Sequence, residues 1–133
     1  MLRHCLNVGL LCTLLVGCGG SSGMPPVAKV EGTVTYKGQP LATGNIVFYP
    51  VNGRSGSGEI KDGKIGPMTT FETGDGVPLG PNKVTIQAFD KPVVDMNTKR
   101  TSIIPTKYGD ANTSGLTADI KAGTNKLTFD LKD

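Results

Sequence analysis

The chain has 133 residues, no tryptophan, seven other aromatics spread thinly along it, a single histidine and a formal net charge of +3. That length bounds one domain with a short appendage. So small and scattered a charge excludes a nucleic-acid-binding footprint.

The first element in chain order is a targeting segment. Arg3 supplies a positive n-region, and Leu6 to Val16 form an apolar stretch too short to span a hydrocarbon core. Leu15-Val16-Gly17-Cys18 then has the layout of a lipobox, the cleavage and lipidation signal of a bacterial lipoprotein. Residues 1–17 are therefore predicted to be a lipoprotein signal peptide. Cys18 becomes the new N-terminus, thioether-linked to diacylglycerol and acylated (a palmitate-type chain) on its amino group. Several acyl chains anchor a protein stably, at about 0.8 kcal/mol per buried CH₂. Gly19 stands where an Asp would resemble an inner-membrane retention signal, which favours the outer membrane, facing the periplasm. Cleavage removes His4, Cys5 and Cys12, so the mature chain holds no imidazole and no free thiol. Disulfides, zinc sites and Ser-His-Asp or Cys-His catalysis go with them.

Residues 18–26 read as the lipidated Cys plus a linker. Gly19-Gly20-Ser21-Ser22-Gly23 is flexible in composition, and Pro25-Pro26 stiffens its end. From 27 to 133 the apolar pattern has period two. Val30, Gly32, Val34 and Tyr36 share one strand face, and Lys37-Gly38-Gln39-Pro40 makes a turn. Asn45–Tyr49 is a second strand. Two short strands flank the hairpin turn Asp62-Gly63, Met68–Glu72 is a further strand, and 73–81 is turn-rich. Val84, Ile86 and Ala88 alternate next, followed by a long irregular connection over 91–114. Leu116, Ala118 and Ile120 alternate, Ala122-Gly123-Thr124-Asn125 turns, and Leu127, Phe129 and Leu131 alternate again. Phe48, Phe71, Phe89 and Phe129 are the expected aromatic core. Seven or so short strands with frequent turns predict an all-β, antiparallel β-sandwich.

The segment Val30-Glu31-Gly32-Thr33-Val34-Thr35-Tyr36-Lys37-Gly38-Gln39-Pro40-Leu41 resembles the opening strand and turn of carboxypeptidase regulatory-like domains. Asn45-Ile46-Val47-Phe48-Tyr49-Pro50 and Asp62-Gly63-Lys64-Ile65 stand where that family has its next strand and hairpin, although Ile65 replaces the usual aromatic. The stretch Ile104-Pro105-Thr106-Lys107-Tyr108-Gly109-Asp110 is similar to a tail of short bacterial lipoproteins with this domain. The resemblance covers about 27–132. It implies a transthyretin-like (prealbumin-like) sandwich and no reaction of its own.

Candidate functional groups are few. Asp110, Asn112 and Ser114 place oxygen side chains at alternate positions, as a calcium loop does. The twelfth position is Lys121 instead of a bidentate Glu, which argues for an Asx-type turn without metal. Lys29 and Asn125, at the ends of the first and last strands, are the positions an internal isopeptide bond would need. Tyr36, Tyr49 and Tyr108 are candidate stacking platforms for a glycan, against the commoner reading of core or rim residues. Lys99 and Arg100, with Lys91, are candidate contacts to an acidic partner or anionic lipid, against the commoner reading of solvated charge. The expectation is a non-enzymatic, lipid-anchored binding or structural module of the cell envelope, with specificity in the loop 91–114. The alternative is a carbohydrate- or protein-recognition accessory to a secreted enzyme. Its partners are the membrane, through the anchor, and an envelope protein or glycan. No cofactor is expected beyond the lipid on Cys18.

Overall fold

The computed structural model describes residues 23–133. The signal segment 1–17, Cys18 and the linker as far as Ser22 lie outside the described residues. Met24, Pro25 and Pro26 are exposed and lead directly into the first strand.

Period-two alternation of buried and exposed residues builds the strands. They are β1 (Val27–Tyr36), β2 (Gln39–Pro40), β3 (Thr43–Pro50), β4 (Gly56–Lys61), β5 (Lys64–Ile65), β6 (Val77–Pro78), β7 (Gly80–Gln87), β8 (Leu116–Ile120) and β9 (Thr124–Leu131). The protein is all-β, with one 3-10 turn, Thr106–Gly109, as the only helical element among the described residues. The strands form one curled sheet, a half-barrel, in the order β2-β1-β5-β4-β3-β7-β8, with β6 and β9 also hydrogen-bonded to β1.

The expected antiparallel arrangement holds for every ladder except one. Strand β9 pairs with β1 in parallel over Lys29–Tyr36 and Thr124–Leu131. The reason lies in the turn after β8: β9 reverses direction there but crosses to the far flank of the half-barrel, where β1 already runs the same way. Close approach of the two backbones depends on Gly32. A Cβ there would sit 2.0 Å from the Leu127 carbonyl oxygen, so only hydrogen fits.

Two tight turns behave as their residues dictate. Lys37-Gly38 (φ 52° and 78°) and Asp62-Gly63 (φ 51° and 75°) take the doubly left-handed geometry of type I′ hairpins. Inward faces of the strands meet in a single core that includes Val34, Ile46, Phe48, Ile60, Val84, Ile86, Ile120, Phe129 and Leu131. Phe48 meets Phe129 edge-on, with centroids 6.4 Å apart and planes at 67°, a favoured aromatic geometry. Phe71 and Phe89 are only half-buried, contrary to expectation.

The predicted strand Met68–Glu72 is replaced by a compact acid-capped turn, with only an isolated bridge between Thr69 and Ser57. One carboxylate accounts for this. Asp75 accepts the backbone N–H groups of Thr70 (2.8 Å), Phe71 (3.0 Å) and Glu72 (3.0 Å), so those donors are unavailable to a neighbouring strand. Desolvation pushes the Asp75 carboxyl up, but the hydrogen bonds from Glu72, Thr70 and Phe71 outweigh it and hold the group below its ordinary value.

A carboxyl lowered in the folded state contributes stability above its unfolded pKa of about 3.9, and that contribution is lost as pH falls through the lower folded value. Asp75→Ala, which leaves three N–H groups without their acceptor, is expected to cost about 1–3 kcal/mol at pH 7 in urea unfolding. The gap between it and the wild type should narrow as the pH is taken below about 4. A gap independent of pH would mean that the carboxylate charge is not what holds this turn.

Candidate functional surfaces at the two ends of the sheet

The strands set two ends of the body apart. Val27 pairs with Pro78, and the Leu79 N–H donates to the Pro26 carbonyl at 3.3 Å. The linker therefore joins the body where β7 begins. From there β7 runs eight residues to Gln87, roughly 25 Å at strand rise, and the long connection starts at that far end.

That connection has two parts with different roles. Residues 103–115 are held against the body by three buried side chains. Ile104, Tyr108 and Ser114 are buried, and the Ser114 hydroxyl donates to the Val84 carbonyl at 2.6 Å. The Tyr108 hydroxyl donates to the Lys132 carbonyl (2.8 Å) and accepts the Lys132 N–H (2.9 Å). Tyr108 is thus a latch for the end of β9, and burial of its ring leaves no face for a sugar to stack on. In the same segment the Asp110 carboxylate accepts the Asn112 N–H at 2.8 Å, an Asx turn. Asp110, Asn112 and Ser114 do not converge: Ser114 faces the backbone of β7 while Asp110 serves its own turn.

Residues 89–102 form the projecting part. Its neck is closed by the bridge between Phe89 and Ser102, by the Asp90 N–H to the Thr101 carbonyl (3.0 Å), and by the Thr101 N–H to the Asp90 carboxylate (2.9 Å). The Arg100 guanidinium stacks 4.0 Å over the Phe89 ring, a cation–π contact that fixes it at the shoulder. At the apex the Thr98 hydroxyl accepts the N–H groups of Val94 (3.3 Å) and Asp95 (2.9 Å). The Asp95 carboxylate accepts the Asn97 N–H at 2.8 Å, and the Asp95 carbonyl accepts the Thr98 N–H at 3.2 Å. This self-capped turn lifts three apolar side chains into solvent: Val93 is 63%, Val94 81% and Met96 fully exposed. Lys91, Lys99 and Arg100 stand exposed below them on the two legs. A groove of about 430 Å³ runs between this loop and β3–β4, bordered by Asn45, Glu59, Lys61, Lys91, Val93 and Arg100.

A second surface lies at the linker end, on the outer face of the same sheet. Tyr49, Lys83, Thr117 and Asp119 alternate with inward-facing residues of β3, β7 and β8. With Pro50, Val51 and Pro81 they border an open concavity of about 580 Å³. Tyr49 is 40% exposed, and Asp119 pairs with Lys121 at 2.8 Å. The Asn125 side chain meets Lys29 at its backbone carbonyl. The Asn125 amide donates to the Lys29 and Lys121 carbonyls, at 3.2 and 2.8 Å. No group of three or more metal-ligating side chains occurs among the described residues.

Of the residues singled out from sequence, Lys99 and Arg100 are brought together with Lys91 on the loop, Tyr49 lies at the opposite end, and Tyr108 is in the core. Sequence reasoning missed the apolar apex. Its signal was Pro92-Val93-Val94 and Met96 inside an otherwise polar connection. No family model, curated protein or solved structure matches the chain.

The contrast between the two tyrosines is testable. Tyr108→Phe removes both hydrogen bonds to Lys132 and is expected to cost about 1–3 kcal/mol of unfolding free energy. Tyr49→Ala, at an open surface, should stay within about 0.5 kcal/mol of wild type. Equal effects in chemical denaturation would contradict the assignment of Tyr108 as a latch.

Proposed function

We propose that this chain is a lipid-anchored, non-catalytic β-domain of the bacterial cell envelope that works as a binding or structural module through the loop 89–102. The observation that carries the reading is the placement of two features on one body: the linker from Cys18 joins one end of β7, and a self-capped loop with an exposed apolar apex leaves the other. Exposed valines and methionine on a protruding turn do not serve the core, and such patches mark contact sites. The lipobox around Cys18 supports the anchor, and Gly19 supports an outer-membrane address facing the periplasm. The likeness of residues 27–132 to carboxypeptidase regulatory-like domains supports a transthyretin-like ancestry and a role without chemistry of its own. Residues 18–133 contain no histidine and no cysteine besides Cys18, which removes the usual nucleophile–base pairs.

A second reading, carbohydrate recognition, is favoured by one observation. The half-exposed Tyr49 ring borders an apolar concavity rimmed by Lys83, Thr117 and Asp119, the mixture of flat apolar surface and polar edge that sugars require. A glycan pull-down compared with Tyr49→Ala separates it from the first reading.

The anchor is tested by the intact mass of protein purified from native membranes. The expected species is residues 18–133 plus diacylglycerol and one acyl chain, and Cys18→Ala should be released in soluble form or retained uncleaved. A native mass without lipid would overturn the reading.

A further inference from the structure

We infer that the outer face of β3, β7 and β8, together with the loop 89–102, docks on the anionic surface of the same bilayer that holds the lipid on Cys18. This rests on the anchor reading above and names the partner of the loop. Four observations lead to it. First, among the described residues the exposed large apolar side chains lie at the two ends of the body: Met24, Tyr49 and Val51 at the linker end, and Val93, Val94, Met96 and Ile103 at the loop end.

Second, both ends reach the same face. Tyr49 and Lys83 point outward from β3 and β7, and the loop leans over the outward residues Asn45, Glu59 and Lys61 of β3 and β4.

Third, the loop is layered as an interface is layered. Its apex is apolar, and Lys91, Lys99 and Arg100 sit on both legs beneath it, where headgroup phosphates would lie. Three acids near this face are engaged within the protein, while Glu59 lies exposed in the groove beneath the loop. The Asp95 carboxylate accepts the Asn97 N–H and the Thr98 hydroxyl, Asp90 closes the neck, and Asp119 is paired with Lys121. The apex also satisfies its N–H groups at Val94, Asp95, Asn97 and Thr98 internally. Each N–H satisfied in this way lowers the cost of moving the apex out of water. A convex apex with no rim suits a deformable lipid surface better than the matched pocket a protein partner would have to supply.

Fourth, the tether allows it. Residues 19–26, fully extended, span at most about 28 Å, close to the length of β7, so the body can lie along the membrane. Tethering turns a weak contact into an intramolecular one.

The test uses lipidated protein, with Cys5 and Cys12 removed by processing, reconstituted into vesicles of phosphatidylglycerol and phosphatidylcholine or of phosphatidylcholine alone. Single thiols are introduced by Val94→Cys, Val51→Cys or Thr128→Cys (the last on the opposite face, on β9) and labelled with a fluorophore read against nitroxide lipids. In anionic vesicles, quenching is expected to be at least about fivefold stronger for the labels at 94 and 51 than for the label at 128. It should fall severalfold in zwitterionic vesicles, at high salt, and with Lys99→Glu combined with Arg100→Glu. Protein that floats with the vesicles yet shows equal, weak quenching at 94 and 128 overturns the docking and leaves the anchor standing. Protein that fails to float overturns both. A label at 94 shielded from aqueous iodide in native envelopes but untouched by nitroxide lipid assigns the loop to a protein partner, and the docking falls.

Discussion

Strand β1 is paired on both sides, and the rest of the structure depends on that. Along one side it pairs in parallel with β9 from Lys29 to Tyr36. Along the other it meets β6 at Val27–Ala28, β5 at Thr33 and β2 at Thr35–Tyr36. The first strand after the linker is thereby held by the last strand of the chain and by three short segments between. This parallel pairing joins residues about 95 apart in sequence, a loop-closure cost that must be met before the contacts contribute. Gly32 is the residue that admits the approach, because the Leu127 carbonyl occupies the space of its missing Cβ. Gly76 plays the same part on the opposite edge, where a Cβ would lie 2.2 Å from the Ala28 carbonyl oxygen.

With β1 held on both sides, the half-barrel has two well-defined ends. The linker must leave beside β6 and the start of β7, while the loop 89–102 must leave beyond Gln87. The C-terminus reinforces the loop end. Tyr108 grips Lys132, and Asp133 accepts the Tyr36 hydroxyl and pairs with Lys37 at 2.6 Å. The linker at one end, an apolar apex at the other and a common outer face between them are the placements on which the proposed binding role rests.

Much of this was legible in the residues, and the illegible parts have physical reasons. Val84 and Ile86, or Leu127, Phe129 and Leu131, alternate because one sheet face is buried, so their strands could be read directly. Asp62-Gly63 announced its hairpin because a type I′ turn needs positive φ at both positions. Strands β2 and β6 are two residues each and exist only because β1 lies beside them; no local pattern encodes that. Met68–Glu72 alternates like a strand, but the Asp75 carboxylate, a few residues later, captures its donors. A core or rim place for Tyr108 could be read from the residues, but only the fold brings Lys132 to its hydroxyl. Lys99 and Arg100 were visible as a basic pair. Their company with Lys91 and the apolar apex needed the closed neck, which Asp90 and Thr101 make across the loop.

The claim on which the account rests is that tether and loop occupy opposite ends of one rigid sheet. The most direct measurement is a pulsed electron-spin distance between nitroxides at Thr124→Cys, beside the start of β1, and Val94→Cys at the loop apex. The account expects one narrow distribution centred near or above about 30 Å, the length of β7 plus part of the loop. A distance below about 20 Å, or a broad spread, would contradict it, because the loop would then share the linker's end or have no fixed place on the body.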